Sequence, residues 1–395
     1  MLDPVYAPRR GGAPRKGPAV PRPVVVVTDL YQPPEDPGDN FALVMPFGYD
    51  RIDLRAIILD VSTEKRDSVL EGVPGYPGPR EPGIIPVAQL NVLFGTSVPF
   101  GISPFARMRD LNDRMLDVPA FQQTGPELLL RTLRESDEKV EIMSFGSARP
   151  IAVALNRDPE LFARMVSRIH LSAGSTSLDY LEWNVYLDPL AMNRLITSGL
   201  PLALYPCATE VDCFSYGVHN TLWWFDDLAW IAELHPAIKR YLLYGLGAST
   251  RIDFLRVLDE DPPANISDLV YRRRHAVWET AAWLAVSQSA IVKRADSGYH
   301  IVPRELMTDD DHEIRNELVP CRAEAHPSGL YTFDLDASDS RTTVFRRDDP
   351  AEYERALRQA LPRLYSSFHP VDWQGSVGGN LVDGRREPYA GPLRA

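Results

Sequence analysis

Three aspartates pose the chemical question. Asp29, Asp36 and Asp39 share one stretch, VVVVTDLYQPPEDPGDNFALV (residues 24–44). Carboxylates held close together repel, and they persist if a cation neutralises them or one of them takes a proton. Their oxygens suit a hard cation, Ca²⁺ or Mg²⁺. With no histidine beside them, zinc fits less well. Pro33, Pro34 and Pro37 stiffen the loop, and Gly38 permits close backbone approach. The competing reading is that these acids cap the next helix and solvate a turn. Local spacing does not choose between the two.

The elements that must carry these groups alternate. Val24–Val27 is apolar and β-branched, the pattern of a strand buried on both faces. A helix is expected over Asn40–Phe47, a strand over Leu54–Leu59 and a third strand over Pro86–Leu93. Between them lies a Gly/Pro-rich loop, residues 72–86. TGPE from Thr124 reads as a capping box that opens a helix. Strands follow at Lys139–Phe145, Arg168–Ser172 and Leu200–Tyr205, with helical segments at Arg157–Ser167 and Asp188–Ser198. Residues 221–246 and 271–294 read as helical, and Tyr299–Val302 and Thr342–Phe345 as strands. This alternation predicts an α/β fold with a mostly parallel central sheet flanked by helices and an elaborated C-terminal part. Ligands in such sheets bind at the carboxyl ends of strands.

Composition narrows the class. The net charge of −12 disfavours nucleic acid or an anionic membrane as partner. No apolar run is long enough to span a bilayer. Three cysteines, Cys207, Cys213 and Cys321, fit a reducing, cytoplasmic setting better than a disulfide framework. Residues 1–22, rich in proline, glycine and basic side chains, read as a flexible tail. Residues 23–395 read as a single domain, with 295–395 its C-terminal elaboration.

The chain resembles the inosine–uridine-preferring nucleoside hydrolases. TDLYQPPEDPGDNFAL resembles their DxDPGxDD motif followed by Ala-Leu. VEIMSFGSARPIAVALNRDPEL (140–161) resembles their strand, Gly-Pro-Leu-Thr-Asn turn and helix. IHLSAGS (169–175), LEWNVYLDPLAMNRLITSGLPLALYP (181–206) and HAVWETAAWLAV (275–286) resemble three further family segments, in order, over roughly residues 23–290. The resemblance implies a nucleoside-hydrolase-like fold and metal-dependent hydrolysis of the N-glycosidic bond of a nucleoside or related N-riboside. Ca²⁺ is the implied ion, Mg²⁺ the alternative, and a homodimer or homotetramer the implied assembly.

It also implies roles. Asp29 is metal ligand and catalytic base. Asp39, Glu279 and the Arg149 carbonyl are further ligands. Glu182 and Asn184 bind the ribose hydroxyls. Asp36 compensates for the family acid that falls on Gly38. Trp278 replaces the family's proton-donating histidine and could stack on the base. His275, one helical turn before Glu279 if the segment is helical, is the candidate acid. Bland readings compete throughout. Glu182 and Asn184 could be ordinary loop residues, Asp188 reads as a helix cap, and Trp223, Trp224 and Trp283 read as core. Two rivals stand beside the hydrolase: a non-catalytic riboside-binding homologue, and a glycoside hydrolase of another substrate using the same metal site.

Overall fold

The four valines divide the molecule. Val24 and Val26 pack into one apolar core with Phe41 and Trp283, while Val25 and Val27 pack into another with Leu129 and Ile151. A strand alternates its side chains between faces, so an all-apolar run needs a core on both sides. The structure, a computed structural model, describes residues 21–32, 34, 38–62, 81–295, 297–336 and 341–371. Asp36, nearly all of the expected tail and residues 72–80 of the expected loop lie outside the described residues.

Among the described residues the central sheet has nine strands: β1 (Arg22–Thr28), β2 (Ile52–Leu59), β3 (Phe100–Ile102), β4 (Val140–Ser144), β5 (Val166–Leu171), β6 (Leu202–Leu204), β7 (Asn316–Ala325), β8 (Tyr331–Asp334) and β9 (Thr342–Arg347). Their spatial order is β8-β7-β9-β6-β5-β4-β1-β2-β3. All pairings from β9 through β6, β5, β4, β1 and β2 to β3 are parallel. Only β7 runs antiparallel, to β9 and to β8. The mostly parallel sheet is therefore as expected. The C-terminal elaboration is less peripheral than its sequence suggests, because β7, β8 and β9 widen the central sheet.

From β1 the chain builds outward through β2 and β3, then returns to β4 and builds the other way. The direction of winding reverses between β1 and β4, which opens a crevice at their carboxyl ends. Backbone bonds extend the ladder just past the strand ends. Phe145 N donates to Val27 O at 2.8 Å, Asp60 N to Thr28 O at 2.8 Å, and Ser172 N to Ser144 O at 2.9 Å. Residues 29, 60, 145 and 172 are thus held in register at one edge.

Several local expectations change. Pro86–Leu93 is not a strand but lies within the helix Ile84–Phe94, which buries Pro86, Val87, Gln89, Leu90 and Leu93. That spacing of three and four is helical, but a short apolar run hides it. The helix expected to open at Thr124 begins at Ala120 and runs to Glu135. Thr124 caps nothing: its hydroxyl donates to Phe121 O at 2.8 Å and accepts from Ile102 N at 2.9 Å. The expected helix over 221–246 starts with a strand, Trp223–Phe225, and is an α-helix only from Pro236 to Leu246. Residues 271–294 divide into strand His275–Val277, helix Thr280–Val286 and strand Ser289–Arg294. No helix among the described residues is long and apolar enough to cross a membrane.

Ile142, at the centre of β4, is fully buried. Ile142→Ala is expected to cost about 2–5 kcal/mol, read as a lower urea midpoint with an unchanged m-value. An unshifted midpoint would mean that β4 is not a core strand.

Candidate active site

A cavity of about 260 Å³ sits at the carboxyl edge of β1, β4 and β5. Asp29, Asp39, Glu182, Asn184, Trp278 and Glu279 all line it. Six sequence-predicted residues from three separate segments therefore meet in one space.

Asp29 is the first residue beyond β1, where the buried strand has ended and a carboxylate can face the cavity. A Cβ on Gly146 would lie 3.1 Å from Asp29 N and 3.2 Å from Asp29 Cβ. The turn after β4 thus presses directly on the base candidate, and glycine is what permits it. Asp39 stands in the first turn of the short helix Gly38–Ala42, only 8% exposed, and its Oδ2 accepts a short bond from the Thr28 hydroxyl. Glu279, also 8% exposed, immediately precedes the helix Thr280–Val286, and its Oε2 accepts from Trp278 N at 3.1 Å.

Glu182 and Asn184 are held more elaborately. Glu182 caps the helix Trp183–Leu187. Its Oε2 accepts from Gly174 N at 2.7 Å and Val185 N at 3.3 Å, and its Oε1 from Asn184 N at 2.9 Å. These bonds favour the charged form, yet burial outweighs them and raises its pKa to about 7. Asn184 Nδ2 donates to Ser172 O at 2.9 Å and Phe145 O at 3.4 Å. Its amide protons are committed, so Oδ1 is the atom it offers to a sugar hydroxyl.

Trp278 forms one wall. Its Nε1 donates to Cys207 O at 3.0 Å, and its ring lies 6.0 Å from Phe214. Trp223 and Trp283 are buried core, while Trp224 lies under the Arg274 guanidinium at 4.1 Å.

Two candidates do not reach the cavity. His275 lies on a strand paired with Phe225, not on a helix, so the expected one-turn relation to Glu279 does not exist. It is buried, edge-on to Phe41 at 5.3 Å. Arg149, implied as a ligand through its backbone carbonyl, is not among the residues lining the cavity; its fully buried side chain donates from Nη2 to Asp60 Oδ1 at 3.0 Å and Val61 O at 2.9 Å. Asp188 is a helix cap, as read, accepting from Ala191 N at 3.1 Å. Sequence reasoning missed Tyr180, Cys213 and Phe214 on the cavity wall. Loop aromatics outside any periodic element carry no signal that would mark them.

The donor set of Asp29, Asp39 and Glu279 suits a hard divalent cation, all three being carboxylates on one cavity. Among the described residues, no three His, Cys, Asp or Glu side chains already stand grouped to hold one.

No family model matches the chain. It is similar to the pyrimidine-specific ribonucleoside hydrolase RihA of Escherichia coli O1:K1 / APEC, 28% identical over 191 residues, 43% of this chain and 57% of that protein. It is also similar to RihA of Enterobacter sp. (strain 638), 30% identical over 191 residues, 43% of this chain and 56% of that protein. The chain thus spans little more than half the length of these curated relatives. Among solved structures it resembles the purine-preferring ribonucleoside hydrolase from Gardnerella vaginalis, with a TM-score of 0.52 and 13% identity, over 87% of this chain and 99% of the other. That likeness shows the fold.

The raised pKa of Glu182 predicts a pH dependence. Between its ordinary 4.5 and about 7, the folded protein keeps a proton that the unfolded chain releases. Stability therefore falls as pH rises across that window. Relative to Glu182→Gln, wild type should lose on the order of 3 kcal/mol between pH 4.5 and 8, measured by urea unfolding at several pH values. A constant gap between the two proteins would rule out a buried, protonated Glu182.

Proposed function

We propose that this chain, a divergent relative of the nucleoside hydrolases, hydrolyses the N-glycosidic bond of a nucleoside or related N-riboside. The observation that carries the reading is the convergence of Asp29, Asp39, Glu182, Asn184, Trp278 and Glu279 on one cavity at the strand ends. The partial likeness to ribonucleoside hydrolases supports it.

N-glycoside cleavage passes through an oxocarbenium-like state. Water attacks the anomeric carbon as the C–N bond breaks; Asp29 accepts the water's proton at a carboxylate oxygen, and the base departs with the bond's electron pair and takes a proton from solvent. Asn184 Oδ1 and the Glu182 carboxyl orient the sugar hydroxyls. The surrounding carboxylates stabilise positive charge as it grows on the ring. Trp278 and Phe214 offer faces to a flat aglycone. Asp29, Asp39 and Glu279 would hold a divalent cation, Ca²⁺ or Mg²⁺, which lowers the pKa of a bound water. A cytoplasmic location and a homodimer or homotetramer complete the proposal.

The test is release of free base from a panel of uridine, cytidine, inosine and guanosine, with and without Ca²⁺. Wild type should cleave at least one. Asp29→Asn should lower kcat by at least about 10³-fold with the fold intact, the loss of a general base and its orientation together. No turnover on any riboside, with tight binding of an intact one, would move the assignment to a binding protein.

Cation binding makes a separate prediction. Asp39→Asn should weaken divalent-ion affinity at least tenfold, about 1.4 kcal/mol, by titration calorimetry. Equal affinity would take Asp39 out of the ligand set.

A further inference from the structure

Beneath the cavity lies a charged cluster that the chemistry above does not use. Asp60, the first residue past β2, is 1% exposed, and Arg149 and Asp188 are equally enclosed. Asp60 gathers three segments. Its Oδ1 accepts from the Ser103 hydroxyl at 2.9 Å and from Arg149 Nη2 at 3.0 Å, and its Oδ2 from Ser147 N at 2.8 Å. On its other side, Arg149 Nη1 lies 3.8 Å from Asp188 Oδ2. Asp188 in turn caps the helix Pro189–Ile196 and accepts from Met108 N at 2.9 Å. Arg149 Nε and Nη1 have no hydrogen-bond partner. An arginine buried this way is costly to keep unless its placement matters.

The placement is informative. Asp60 and Ser147 clamp the turn 145–148. That turn abuts Asp29 through Gly146 and offers the Phe145 carbonyl to Asn184 at 3.4 Å. Asp188 ends the segment that begins with Glu182 and Asn184. One guanidinium therefore lies between the supports of the base-bearing half of the cavity and of the sugar-holding half.

We propose that Arg149, bridging Asp60 and Asp188, is a positioning residue that sets the separation between Asp29 and the Glu182–Asn184 pair. This rests on the hydrolase reading of the cavity. A planar guanidinium can face two carboxylates at once; a lysine ammonium is a point charge on a flexible stem that engages one of them well. Arg149→Lys thus keeps the buried charge and loses the bridge.

The experiment compares wild type with Arg149→Lys and Arg149→Met, by melting temperature, by kcat and KM on the best riboside, and by amide hydrogen exchange of peptides spanning residues 145–150 and 182–188. Arg149→Met should lose both stability and turnover. Arg149→Lys should recover Tm to within about 3 °C of wild type. It should still lose at least about 30-fold in kcat, with KM within about threefold. Both peptides should exchange faster. A purely structural role predicts the reverse for lysine, turnover returning with Tm; native kcat in Arg149→Lys, or faster exchange in only one peptide, overturns the proposal. If wild type cleaves no riboside, the hydrolase reading fails by itself, and the exchange data still decide whether Arg149 couples the two halves.

Discussion

Burial of β1 on both faces is the constraint on which the site depends. Val24–Val27 have no exposed surface, so the strand can carry no chemistry along its length. Its first acid comes at Asp29, where the backbone leaves the sheet. Among its neighbours, β2 meets Asp60 and β5 meets Ser172 just past their ends, while the one acid inside β4, Glu141, is kept by its pairing with His170 of β5 at 3.0 Å. Polar function is pushed to one edge by the impossibility of solvating it in the middle. The reversal of winding between β1 and β4 then leaves a gap at that edge, and the cavity occupies it.

Desolvation gives the carboxylates distinct characters. Glu182 accepts backbone N–H groups and still has its pKa raised, because burial outweighs those bonds. Asp188 is raised by burial too, with the Arg149 charge opposing the shift. Asp39 instead leans on the Thr28 hydroxyl from the end of β1. Acids of one formal charge are thereby prepared for different work: one poised to hold a proton near neutrality, another anchored to a strand end.

The legible parts of the sequence were those in which one physical demand dominated. Four consecutive valines leave few options but a doubly buried strand. Asp188 before Pro189 is a cap because the following amides need an acceptor. The cavity-lining residues were found through ordered resemblance across several segments, not through the spacing of any one. Misreadings came where two demands competed. Ile84–Phe94 is apolar on most sides and short, so period alone could not separate helix from strand. In Pro119–Pro126 a tertiary contact, Ile102 N to the Thr124 hydroxyl, took the residue that a local rule assigned to capping. The aromatic density of 221–246 concealed a strand whose partner, His275–Val277, is distant in sequence. Asp60 went unmarked, because the buried arginine that gives it meaning follows β4, a strand distant in sequence.

The C-terminal strands change how the chain must come into being. β6 pairs on its far side with β9, which ends at Arg347. The Tyr331 hydroxyl, from β8, holds Ala173 O beside the cap-bearing Gly174. A nascent chain emerging from the ribosome would therefore present β6 as an open edge, and one site wall unbraced, until residues 331–347 had been made. Exposed strand edges invite pairing with other chains. A sheet closed by strands distant in sequence makes maturation nearly all-or-none, and ties the appearance of a braced cavity to the arrival of β8 and β9.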